Sequence, residues 1–121
     1  MHTGEYATID REQLAKKLGT AMPNHEDPRL GYALVNVLAE ESFDRERIPG
    51  SINIPRGRES AFEQYFDKGK EIIVYCASPS CGASADTARE LTQRGFVRVV
   101  DYEGGMSDWK EGNEPVSGHA V

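Results

Sequence analysis

Residues 71–95 read EIIVYCASPSCGASADTARELTQRG. Ile72, Ile73, Val74 and Tyr75 are apolar on both alternating faces, which suits a strand covered by helices on both sides. Residues 77–82 are small, polar and interrupted by Pro79, so neither strand nor helix can continue through them. Ser84, Ala88 and Leu91 then recur at helical spacing up to Gly95, a helix stop. This order of strand, loop and helix leaves Cys76 at the carboxyl end of the strand, at the base of the loop.

That position has chemical consequences. An open parallel sheet places ligands outside the carboxyl ends of its strands, where a helix amino terminus offers unpaired N–H donors and positive potential. Such surroundings favour a thiolate, lowering a thiol pKa from about 8.5 to roughly 3.5–7.5. The same N–H groups can hold an anion under attack. Position alone also fits a structural cysteine, since free cysteine is among the most buried residue types. Both readings of Cys76 stay open at this point.

Composition narrows the field. A chain of 121 residues fits one domain with a hydrophobic core, residues 1–121, with ends at 1–4 and 116–121 expected to be flexible. Asp and Glu outnumber Lys and Arg by 20 to 14, a net charge of −6, which argues against a broad nucleic-acid or anionic-membrane surface. No apolar run is long enough for a membrane span, and the first ten residues lack the basic and hydrophobic regions of a secretory signal, so a cytoplasmic location is expected. The two cysteines both fall in one loop, which points to reactivity rather than to stapling.

Along the chain, residues 6–9 form a short strand. Asp10 with Gln13 reads as a capping box for a helix over 11–18 that Gly19 ends. Residues 20–30 carry two prolines and read as an irregular surface loop. His25 within it has no second ligand nearby, so it is expected to be solvent-exposed and no metal site is expected. Residues 33–38 are a second buried strand, 40–46 a short polar helix or turn, and 52–54 a third strand ended by Pro55. Phe62 and Phe66 give the helix at 59–66 its core face. Residues 97–102 are a further strand, and 106–111 a last helix anchored by Trp109 in the core. His119 carries no assigned role. Strands alternating with helices at short intervals predict an α/β three-layer domain, with a mostly parallel sheet and helices on both faces.

Three blocks resemble the rhodanese-like (sulfurtransferase) family and together cover nearly the whole chain. LVNVLAEESFDRERIPGSINIP (34–55) is similar to that family's strand, short helix and Ile-Pro-Gly-Ala/Ser turn. VYCASPSCGASADTARELTQRGF (74–96) resembles its active-site block, and VRVVDYEGGMSDW (97–109) its last strand, Gly-Gly and Trp. The resemblance implies a parallel five-stranded sheet, a cysteine that carries sulfane sulfur as a persulfide, and no organic cofactor. Carried over, the catalytic residue is Cys76. The substrate cradle is the backbone of Ala77, Ser78, Pro79, Ser80, Cys81, Gly82, Ala83 and Ser84. The implied partners are a small sulfur donor and a thiol or cyanide acceptor, or a sulfur-carrier protein.

The chain also departs from the family pattern. Asn36 stands where an Asp is common, Leu38 where an Arg is, and Glu46-Arg47 where Gly-His precedes Ile-Pro-Gly, so a buried ionic cluster is exchanged. The loop is two residues longer than the common pattern and holds neither Arg nor Lys. The related phosphatases place an Arg six residues after the cysteine to hold a phosphoryl dianion, and here that residue is Gly82, which disfavours phosphatase chemistry. Without a cation the loop should bind thiosulfate weakly unless Arg56 or Arg58 reaches in as an anion contact; the plainer reading of both is a solvated loop. Two other functions remain: a catalytically idle protein-binding module, and a thiol redox sensor using Cys76 with Cys81 as resolving thiol. Cysteines with four residues between them in a short loop have a high effective concentration, but disulfide geometry is demanding, so a plain small-residue role for Cys81 stands beside the switch.

Overall fold

A computed structural model describes residues 5–118 of the chain. Its centre is a five-stranded sheet in the order β1-β5-β4-β2-β3, formed by β1 (Ala7–Ile9), β2 (Tyr32–Asn36), β3 (Ile52–Asn53), β4 (Glu71–Tyr75) and β5 (Arg98–Tyr102). Every pairing within it is parallel. The helices are α1 (Arg11–Thr20), α2 (Glu40–Arg45), α3 (Ser60–Tyr65), α4 (Ala83–Gln93) and α5 (Gly105–Glu111).

The two-residue period of the strands divides the core in two. Ile72, Val74 and Cys76 face one side, with Phe62 and Phe66 from the α3 region, Ala88 and Leu91 of α4, and Phe96. Ile73 and Tyr75 face the other, with Leu14 of α1 and Met106 and Trp109 of α5. Both β4 faces are therefore covered, as its unbroken apolar run requires. Trp109 is buried against Tyr102, ring edge to face at 6.1 Å, and donates its indole N–H to Pro115 O at 2.8 Å.

Helix boundaries follow local chemistry with a few departures. Asp10 and Gln13 do form the capping box. Gly19 does not end α1, which runs to Thr20 and is closed by the Thr20 hydroxyl and the Ala21 N–H on Lys17 O. His25 is not free in solvent: its Nε2 accepts the Leu34 N–H at 3.3 Å. β3 pairs only with Val35 and Asn36 of β2, so the imidazole satisfies a strand N–H that the short edge leaves over. Ser117, in the stretch expected to be loosely held, pairs with Arg47 through two backbone hydrogen bonds of 2.9 Å. Residues 1–4 and His119 lie outside the described residues.

The exchanged positions make local contacts, although the buried Asn36 Nδ2 finds no hydrogen-bond partner among the described residues. Asn36 Oδ1 accepts the Leu38 N–H at 2.9 Å, Asn53 donates to the carbonyls of Asn36 and Leu38, and Arg47 donates to Phe43 O while stacking over the Phe43 ring. These contacts fix the turn after β2, beside the end of β4.

Candidate active site

The site forms where β4 ends and α4 begins. Gly82 caps α4 in the left-handed conformation (φ 76°), which only a residue without a Cβ adopts without strain, and this turns the loop back over the strand end. The Cys81 N–H closes a turn on Ser78 O at 3.0 Å. Beneath the loop lies Cys76, 1 % exposed, its Sγ 3.6 Å from Ser84 Oγ and 3.8 Å from Ser78 O.

The two thiols meet. Cys81 packs against the core cluster that holds Cys76, near enough for each thiol to bias the other, with the Ser84 N–H beside the Cys76 sulfur and the N–H groups of Ala77 and Ala83 beside the Cys81 sulfur. Both are free thiols. Of the cradle residues, Ala77, Ala83 and Ser84 thus aim N–H groups at sulfur, the Cys81 N–H is consumed by the turn, and Pro79 has none to give.

Ionisation is divided between the two sulfurs in a way the sequence does not anticipate. Burial pushes the Cys76 thiol up, and the neighbouring Cys81 thiol adds to this, against the opposing pull of Ser84. Burial also opposes ionisation of Cys81, but the Cys76 thiol and the N–H groups of Ala77 and Ala83, with the charge of Arg56, outweigh it and lower its pKa. Of the two sulfurs the loop residue is thus the more disposed to ionise: Cys76 is deeply desolvated, whereas Cys81 sits half-exposed at the α4 terminus.

Two groups around the site escape a sequence reading. Gly105 opens α5 at φ 68°, and a Cβ there would stand 2.6 Å from Cys76 O and 2.8 Å from Ser78 N. This close approach lets the N–H groups of Met106 and Ser107 bind the carbonyls of Cys76 and Ala77 at 2.9 and 2.8 Å, pinning the first residues of the loop. Asp101 of β5 is 1 % exposed and shares the register of Val74, so it faces the same side as Cys76. A carboxylate inside the β-branched run RVVDY, on the parity of buried Val99, was the available signal. Arg56 reaches α4 and pairs with Asp86 at 3.0 Å, whereas Arg58 makes no side-chain hydrogen bond or ion pair among the described residues.

Residues 12–112 match the family described as the rhodanese-like domain. The chain belongs to that family. Among curated relatives of this rhodanese-like chain, the thiosulfate:glutathione sulfurtransferase of Saccharomyces cerevisiae is 32% identical over 96 residues, covering 69% of this chain and 66% of that protein. The thiosulfate sulfurtransferase GlpE of Coxiella burnetii is 26% identical over 77 residues, 64% of this chain and 70% of that one. The putative sulfur carrier protein YrkF of Bacillus subtilis is 24% identical over 106 residues, 88% of this chain, and the chain spans only 56% of its length. Among solved structures, the BH2092 protein of Bacillus halodurans superposes with a TM-score of 0.77 at 29% identity, covering 93% of this chain and 77% of that one. The rhodanese-like domain of Alr3790 from Anabaena reaches 0.80 at 20% identity, over 95% and 81%, a likeness of fold. Similarity to named sulfurtransferases supports rhodanese-type sulfur transfer at the level of the family. No helix among the described residues is long and apolar enough to cross a membrane.

Proposed function

We propose that this rhodanese-like domain is a sulfurtransferase that carries sulfane sulfur on Cys76. The observation that carries the reading is the placement of the Cys76 sulfur at the carboxyl end of β4, against the N–H and hydroxyl of Ser84 at the α4 terminus. The Cys76 thiolate attacks the outer sulfur of a donor such as thiosulfate, the donor's S–S bond breaks, and its electron pair leaves with sulfite. The resulting persulfide anion rests among the loop N–H groups. An acceptor thiolate, or cyanide, then takes the outer sulfur and returns the Cys76 thiolate. Small thiols and a sulfur-carrier protein are the acceptors this chemistry suits, in the cytoplasm. The uncharged loop favours low-molecular-weight persulfides over the thiosulfate dianion as donors.

A second reading rests on the contact between the thiols: oxidation to a Cys76–Cys81 disulfide makes the pair a redox sensor. Intact-mass measurement after exposure to thiosulfate or a low-molecular-weight persulfide separates the two. One added sulfur is expected on wild type and Cys81→Ser and none on Cys76→Ser. Loading that persists in Cys76→Ser moves the nucleophile to Cys81, and a reversible internal disulfide without loading in any variant favours the sensor.

A further inference from the structure

The buried Cys76 thiol needs somewhere to send its proton before it can attack. Its sulfur donates to Ser84 Oγ at 3.6 Å. Ser84 and Asp101 line the same small cavity, and the Ser84 hydroxyl is near enough to pull the Asp101 pKa down. Asp101 Oδ1 is fully buried and has no hydrogen-bond partner. The cavity, of about 200 Å³, is bounded by Ser78, Pro79, Gly82, Ser84, Asp101 and Glu103. A buried carboxylate oxygen without a partner is costly, so a fold that keeps one invites a functional account.

We propose that Asp101 is the proton acceptor for Cys76, acting through the Ser84 hydroxyl. Resting on the sulfur-transfer reading, the loading step balances as follows: the thiol proton passes to Ser84 as the Ser84 proton passes to Asp101; the Cys76 sulfur bonds to the outer sulfur of thiosulfate; and sulfite leaves with the electron pair. Neutral thiol, thiosulfate dianion and carboxylate become persulfide anion, sulfite dianion and carboxylic acid. When the acceptor removes the outer sulfur, the proton returns along the same path. Asp101 does not touch the reacting sulfur, so it is a positioning residue in this chemistry.

The surroundings of the carboxyl suit the task. Burial raises its pKa; the Ser84 hydroxyl and the charge of Arg89 pull it down, while Glu103 pushes it up. Arg89 is itself engaged by Asp86 at 2.5 Å, which lessens its pull on the carboxyl, and Asp86 is shared with Arg56 from the segment after β3. Cys76 faces Cys81 from the loop, and Cys81, near enough to bias it and under the influence of Arg56, is the competing proton acceptor.

Rates of Cys76 alkylation by iodoacetamide, followed by peptide mapping that counts Cys81 separately, and of sulfur loading from thiosulfate, followed by intact mass, from about pH 6 to about pH 10, test this; general base assistance contributes roughly 10²–10⁴-fold. Asp101→Asn is expected to slow both rates at least about tenfold near pH 7 and to approach wild type as pH rises and hydroxide takes over the thiol proton. Ser84→Ala should behave alike, which keeps the test sound if Asp101→Asn folds poorly, whereas Cys81→Ser removes a group that raises the Cys76 thiol pKa and should speed both reactions near pH 7. A purely electrostatic or structural carboxylate predicts the opposite shift, because removing a neighbouring negative charge eases thiol ionisation. An unchanged profile in Asp101→Asn and Ser84→Ala, faster reaction of either at neutral pH, or a profile that moves only with Cys81→Ser overturns the proposal. Alkylation does not require sulfur transfer, so absence of loading in wild type sinks the function while leaving this inference to the alkylation result. The thermal stability of Asp101→Asn supplies a control. A carboxyl whose folded pKa is raised stabilises the protonated fold below its unfolded pKa and loses that contribution as pH rises through the folded value. Asp101→Asn should therefore match or exceed wild type in Tm at neutral pH, with the difference narrowing as pH falls; a loss of Tm would mark the residue as structural.

Discussion

Gly105 shows how little room a single residue has against the backbone that follows β4. Its φ of 68° already excludes most side chains, and the atoms a Cβ would strike are the backbone of residues 76–78, which cannot swing aside as a flexible side chain would. Gly105→Ala should destabilise the domain by about 2 kcal/mol or more from backbone strain and overpacking together. Because the displaced atoms lead into the loop, sulfur loading should fall further than the folded fraction does. Denaturant titration alongside loading rates per folded molecule checks this, and a variant that loses stability but keeps its rate would separate α5 from the site.

At the scale of elements, the α4 amino terminus gathers the charge that the loop itself lacks. Arg56 enters from the segment after β3, pairs with Asp86, and lies near enough to bias Cys81. A charged hydrogen bond to a bound donor is worth about 1.5–3 kcal/mol when buried. Arg56 and Asp86 are each about half exposed (54% and 51%), so solvent screening reduces the expected effect to about 1 kcal/mol or less. Arg56→Ala should therefore lower kcat/KM for the thiosulfate dianion by at most about fivefold and affect a less charged low-molecular-weight persulfide donor less. Equal losses for both donors would show that Arg56 supports the loop and does not hold an anion. Arg58→Ala should change neither.

Across the whole molecule, stability and chemistry are placed at opposite ends of the sheet. The site lies past the carboxyl end of β4, whereas Lys70, fully buried, precedes its amino end. Its Nζ donates to the carbonyls of Asn24, Asp27 and Leu30, holding the long segment between α1 and β2, with the Phe66 ring 5.7 Å away. Lys70→Met keeps the apolar length and leaves three carbonyls without their donor. It should cost about 3 kcal/mol in chemical denaturation, with loading per folded molecule unchanged. A fall in the rate itself would mean that the segment at 21–31 couples to the site across the sheet.

The sequence by itself determined the elements and the sheet, because each rests on short-range chemistry: the unbroken apolar run of β4, the capping box at Asp10, the loop broken by Pro79, and the helical spacing of Ser84, Ala88 and Leu91. It also placed Cys76 at the strand end and both cysteines in one loop, since those are matters of order along the chain. Tertiary structure alone decided which thiol is disposed to ionise, because burial beneath the loop and the aim of individual N–H groups depend on how α4 meets β4. It alone brought Asp101 to Ser84 and Gly105 against the backbone of Cys76. Those residues are distant in the chain and carry no local signature of contact; only the parallel register of β4 with β5 sets them side by side.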